Sequence, residues 1–87
     1  ELVSMLEQAL KGDFMKARSD LFKIMLNYGL SGFDVVKQMQ AAVWDLDCLD
    51  EKKLDLIIAG GEAEFRMVEG SDAFIQLEAL LANFVKN

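Results

Sequence analysis

Carboxylates are the residues of this chain best placed, by type and spacing, to do chemistry. Glu62, Glu64, Glu69 and Glu78 fall in its last third, and Asp45, Asp47 and Asp50 crowd one short stretch. Such clusters bind metal ions or exchange protons with a substrate. A di-iron bundle also needs Glu-x-x-His motifs, and the chain contains no histidine. That absence removes the commonest general base and the commonest transition-metal ligand. The aspartates resemble part of a calcium loop, but the glycine at its sixth position and the glutamate at its twelfth are missing. The single cysteine, Cys48, has no partner for an internal disulfide and no histidine to activate it. It reads as a small, partly buried apolar side chain. Gly60-Gly61 is followed by Glu62, which would repel a phosphate, and no phosphate-binding loop motif is present. Ser31 could be taken for the attachment site of a carrier arm, yet helix capping explains it alone. No constellation of catalytic residues emerges.

Arg66 is the remaining chemical feature. It can pair along its own helix with Glu62 or Glu69. It can instead make a bidentate contact with Glu78, tying the last two helices together or reaching a neighbour. Glu78 is the one charge inside an apolar helical sector, and a charge there requires a partner to offset its desolvation.

These residues must be positioned by helices. The chain has 87 residues, enough for one domain with a modest core. Hydrophobic residues make up 53%, more than a small core alone requires, and proline is absent. Ala, Leu, Met, Lys and Glu are common, so intrinsic propensity favours helix throughout. The formal net charge is −6 with no basic run, which argues against gripping a phosphate backbone. No apolar run approaches the ~18 residues of a membrane span, and no signal peptide is visible. The chain begins at Glu1 rather than Met, as expected of a domain excised from something longer.

Glycines divide the sequence into five predicted helices. The first covers Leu2–Leu10 with Leu2 and Leu6 inward, joined by Ala9 and Leu10, and ends at Gly12. Asp13 caps the second, which runs to Tyr28 with Phe14, Ala17, Leu21, Ile24, Met25 and Tyr28 as its inner stripe. Met15, Phe22 and Leu26 form a flank. Gly29 closes it. Ser31 caps the third, with Asp34 three residues on as a near capping box. Its buried side is Val35, Val36, Met39, Ala42, Val43 and Leu46, with Phe33 and Trp44 toward the edge. Asp45–Asp50 reads as a loop.

The fourth helix starts near Asp50 and carries two apolar stripes. Leu54, Ile57, Ile58, Gly61, Phe65 and Val68 are expected inside. Leu56, Gly60, Ala63 and Met67 lie nearly opposite and are expected to face a partner. Gly60-Gly61 marks either a kink or close approach of other helices. Gly70 ends this helix. Ser71 is expected to cap the fifth, which runs from Asp72 to Val85. Ala73, Phe74, Leu77, Leu80, Leu81 and Phe84 line its wide apolar sector, and Ile75, Ala82 and Val85 widen it further. A stripe this broad places the helix at the centre of the domain or shares it with a partner. The fold expected is all-α, a compact bundle of five helices with the fifth central and the fourth sandwiched.

Three segments resemble one family: ALKGDFMKAR at Ala9–Arg18, GLSGFDVVKQM at Gly29–Met39, and FRMVEG with IQLEALLANF between Phe65 and Phe84. They are similar to the C-terminal domain of the replication factor C small subunit, a sliding-clamp loader, its archaeal form above all. The match is loose over Ala42–Leu54. The resemblance implies a collar domain, residues 1–87, from a longer AAA+ subunit. Such domains pack side by side in a pentamer that holds ATPase modules for ATP-driven loading of the clamp onto primer-template DNA. It implies no catalysis and no cofactor within this domain, ATP and magnesium belonging to the absent ATPase module. It implies other loader subunits as partners, in homo- or hetero-oligomers. The sliding clamp and DNA would be met only through the whole complex, with no membrane involved. The location implied is the cytoplasm, or the nucleus in a eukaryote.

The interface expected from the apolar surplus uses Leu56, Ala63 and Met67 of the fourth helix and Ile75, Ala82 and Val85 of the fifth. Met15, Phe22 and Leu26 come next, with Arg66–Glu78 as a structural pair. Alternatively, all these stripes are internal. A rival function is a free-standing helical adaptor that receives a partner helix in one apolar groove. A ring instead requires two different patches.

Overall fold

A computed structural model of the chain describes residues 2–86; Glu1 and Asn87 lie outside them. The described residues form α1 (Leu2–Leu10), α2 (Phe14–Tyr28), α3 (Gly32–Ala42), a 3-10 turn (Val43–Asp45), α4 (Asp50–Val68) and α5 (Ala73–Val85). The all-α bundle is as expected.

Local chemistry sets most boundaries. Asp13 Oδ1 accepts from the Lys16 amide at 3.2 Å and starts α2. The capping box of α3 is complete: Ser31 Oγ accepts from the Asp34 amide at 3.2 Å, and Asp34 Oδ2 accepts from the Ser31 amide at 3.0 Å. Gly70, at φ +105°, ends α4 in a paired arrangement in which the Ser71 amide reaches Arg66 O and the Gly70 amide reaches Met67 O.

Two boundaries differ from expectation. Ser71 does not cap α5; Asp72 does, accepting from the Ile75 amide at 3.0 Å. Ser71 belongs instead to the turn that closes α4. The α-helical part of α3 stops at Ala42 and tightens into the 3-10 turn, so Val43 and Leu46 reach the core from a different backbone geometry.

The core is built around α5, which packs against each of the other four α-helices. Leu77, Leu80, Leu81 and Phe84 are all buried on it, beside Leu6, Leu21, Met39 and Leu56. The expected inner side of α3 is buried throughout. Met5 of α1 joins the core although the apolar periodicity did not select it, while Tyr28 is exposed at the end of α2. Cys48 is partly buried against the core, as its type suggested.

The two stripes of α4 are reversed relative to expectation. Leu56, Gly60, Ala63 and Met67 face inward, and Leu54, Ile58, Phe65 and Val68 are more than half exposed. The physical reason is close approach. A Cβ on Gly60 would overlap the Gln40 side chain of α3, and a Cβ on Gly32 would lie 2.7 Å from Ala73 Cβ and 3.2 Å from Met67 Sδ. Small residues win the inner face because α3, α4 and the start of α5 are near contact. The bulkier stripe is left outside. α4 continues unbroken through Gly60-Gly61, so the kink does not occur. Nor is α4 sandwiched within the chain, since its outer face is open.

Candidate subunit interface

The outer face of α4 carries a long row of exposed apolar side chains. Leu54, Ile58, Gly61, Phe65 and Val68 follow one another at intervals of four, three, four and three residues, all exposed. A shallow groove of about 490 Å³ runs over its centre, lined by Ile58, Gly61, Glu62, Phe65 and Arg66. A Cβ at Gly61 would meet nothing within 4 Å. The glycine therefore leaves an unfilled notch in the middle of the face.

A second exposed apolar surface lies across α2 and the start of α5. It contains Met15, Leu26, Phe74 and Ile75, with Phe22 half-buried between them. Phe22 and Phe74 meet edge-to-face at 5.6 Å. The Arg18 guanidinium stacks 4.8 Å above the Phe22 ring and donates to Glu78 Oε2. Both ends of that ion pair remain over a third exposed, so solvent screens it and its contribution is at most ~1 kcal/mol. It links α2 to α5 beside the Phe22 ring.

Glu78 thus has a partner, as its position required, but the partner is Arg18 and not Arg66. Arg66 lies 3.9 Å from Glu62 along its own helix, both side chains more than half exposed. The expected Arg66–Glu78 tie does not form. Arg18 and Glu78 are 60 positions apart, and no local pattern links them. The unpaired charge in the α5 sector was the one signal that a distant cation had to exist.

The remaining expected interface residues divide by burial. Leu56, Ala63 and Met67 are core and cannot meet a partner in the folded chain. Ile75 and Ala82 are exposed and Val85 is half-buried. Met15 and Leu26 are well exposed, at 67% and 83%. Phe33, Trp44 and Leu49 are further exposed apolar side chains, of which sequence periodicity had placed only Phe33 and Trp44 near an edge. No three Cys, Asp or Glu side chains among the described residues converge as a metal site. No helix among them is long and apolar enough to cross a membrane.

The model of the replication factor C C-terminal domain matches residues 1–83. The chain belongs to that family. It is 48% identical over 82 residues to the replication factor C small subunit of Methanocaldococcus jannaschii, covering 94% of this chain and 4% of that protein. It is 49% identical to the small subunit of Pyrococcus furiosus, covering 97% of this chain and 10% of that protein. For the Thermococcus kodakarensis small subunit the identity is 50%, covering 92% of this chain and 9% of the relative. The chain therefore spans a small part of each relative it matches. The loose match over Ala42–Leu54 falls on the end of α3, the 3-10 turn and the start of α4, inside the span matched to this replication factor C domain.

Proposed function

We propose that this chain is a non-catalytic oligomerisation domain that joins clamp-loader subunits side by side in a pentameric collar. The observation that carries the reading is the outer face of α4, where Leu54, Ile58, Phe65 and Val68 stand exposed on a domain whose core is already filled. Apolar surface of that extent marks an interaction site. Membership of the replication factor C family supplies the kind of partner: sister subunits, of the same or related sequence. Residues 1–87 act as one domain of a longer AAA+ subunit. ATP and magnesium act in its ATPase module, and this domain holds no cofactor. Clamp and DNA are reached through the assembled complex, in the cytoplasm. Two separate apolar surfaces favour this reading over a helical adaptor, which would present one groove to one helix.

The test is native mass spectrometry of the complete subunit carrying Ile58→Asp and Phe65→Asp. Assembly with sister subunits is expected to be lost while nucleotide binding persists. An intact pentamer from this variant would overturn the reading.

A further inference from the structure

The outward face of α4 has the period of a coiled-coil seam. Leu54, Ile58, Gly61, Phe65 and Val68 alternate spacings of four and three, the pattern that lets two helices interlock side chains along their length. The outer side of α2 has it too: Met15, Ser19, Phe22 and Leu26 are spaced by four, three and four, with Met15, Ser19 and Leu26 exposed and Phe22 half-buried between Phe74 and Arg18. The seams extend for about 21 Å and about 17 Å at 1.5 Å per residue. Each has a small residue in mid-seam, Gly61 on α4 and Ser19 on α2, where a bulky knob from a facing helix can enter.

The charges beside the two seams are of opposite sign. Asp55, Glu62 and Glu69 border one edge of the α4 seam and Glu64 the other, all exposed, with Arg66, 3.9 Å from Glu62, the one cation on that acidic edge, so the flank is net acidic. Lys16 and Lys23 border one edge of the α2 seam and Arg18 the other. Arg18 is engaged by Glu78 and Lys16 by Asp20 at 3.1 Å, whereas Lys23 makes no ion pair among the described residues. Flanking charges of this kind set partner choice and orientation. An α4 seam against a second α4 seam would set carboxylates against carboxylates, and two α2 seams would oppose lysines. Only α2 against α4 satisfies both the apolar period and the charge. Within one chain both helices pack on α5 and present these seams outward.

We propose that α4 of one copy of this chain docks along α2 of a second copy, acidic flank to basic flank. The pairing rests on the assembly reading above and names its two faces. It is head-to-tail, so each copy keeps one free seam of each kind, and repetition closes a ring or extends a chain.

Charge reversal tests it on the purified chain, using sedimentation velocity up to ~1 mM. Lys16→Glu with Lys23→Glu makes both seams acidic-flanked; Glu62→Lys with Glu69→Lys makes α4 basic-flanked like α2. Each double variant alone is expected to associate about tenfold more weakly than the parent, and an equimolar mixture to regain association. Circular dichroism checks that each variant is folded. In a Cys48→Ser background, Leu26→Cys on one copy and Phe65→Cys on another should form the mixed disulfide in preference to either homodimer, a readout that also captures weak contacts. Parent-like association of the reversed variants, no recovery on mixing, or dominant homodimeric disulfides would overturn the pairing and leave the assembly reading standing. A parent chain that neither associates nor crosslinks also overturns it, whereas the collar reading falls only if the Ile58→Asp, Phe65→Asp subunit still forms pentamers.

Discussion

Neighbouring glycines in α4 have opposite surroundings, and this is decided atom by atom. Gly60 is buried under Gln40, whose Nε2 donates to Ile57 O at 3.1 Å, while Gly61 faces open space. Gly61→Ala should therefore stabilise the fold by about 1 kcal/mol, the ordinary helical gain of alanine over glycine. Gly32→Ala should destabilise it by about 1–3 kcal/mol, because the new methyl would press on Ala73 and Met67. Urea titrations of the two variants check both signs. Asp34 carries a pH dependence. Hydrogen bonds from the Ser31 amide and hydroxyl, the backbone one foremost, hold its carboxyl below the ordinary value of 3.8. A carboxylate depressed on folding stabilises above the unfolded pKa and loses that contribution as pH falls through the lower, folded value. The melting temperature of Asp34→Ala should thus lie below that of the parent above about pH 5, and the gap should narrow as pH falls through the lowered pKa of Asp34. Thermal melts by circular dichroism across that range measure this; a constant gap would refute it. The Ser31–Asp34 pair was legible in the sequence because both partners sit within one turn.

Among the elements, α4 shows how two apolar stripes on one helix compete for the core. Bulk favours Leu54, Ile58, Phe65 and Val68, yet the core takes Leu56, Gly60, Ala63 and Met67. Leu56→Ala should cost about 2–5 kcal/mol, as for other fully buried leucines. Leu54→Ala, at a side chain 57% exposed, should stay within about 1 kcal/mol. Guanidinium unfolding curves of both variants distinguish the two orientations of the helix, and a larger loss at Leu54 would reverse the assignment. α5 posed no such ambiguity. Its sector is apolar over so wide an arc that four helices pack around it. Asp72 rather than Ser71 starts it: the Asp72 carboxylate accepts from the Ile75 amide, while Ser71 lies in the preceding turn, where its amide closes α4 on Arg66 O. Adjacent capping residues of similar propensity are separated only by the backbone path between the helices.

For the molecule as a whole, folding and assembly draw on different residues. The core closes without the outer face of α4, so Phe65→Asp should change stability by no more than about 0.5 kcal/mol. The same substitution should prevent association, and measuring both on one preparation by calorimetry and sedimentation separates the two roles. Five helices, their glycine ends, the buried side of α3 and the membership of the replication factor C family could all be read from the chain itself. Helical periodicity and capping act over three or four residues, so their signals are written contiguously. A surplus of apolar side chains, and hence the expectation of assembly, was equally a property of composition. The tertiary structure alone decided which surplus faces outward. The Arg18–Glu78 pair, the seat of Gln40 over Gly60 and the inward turn of the small α4 stripe each join residues far apart in sequence. Periodicity assigns residues to a face of a helix, but which face is buried depends on how closely the neighbouring backbones approach, and only packing sets that distance.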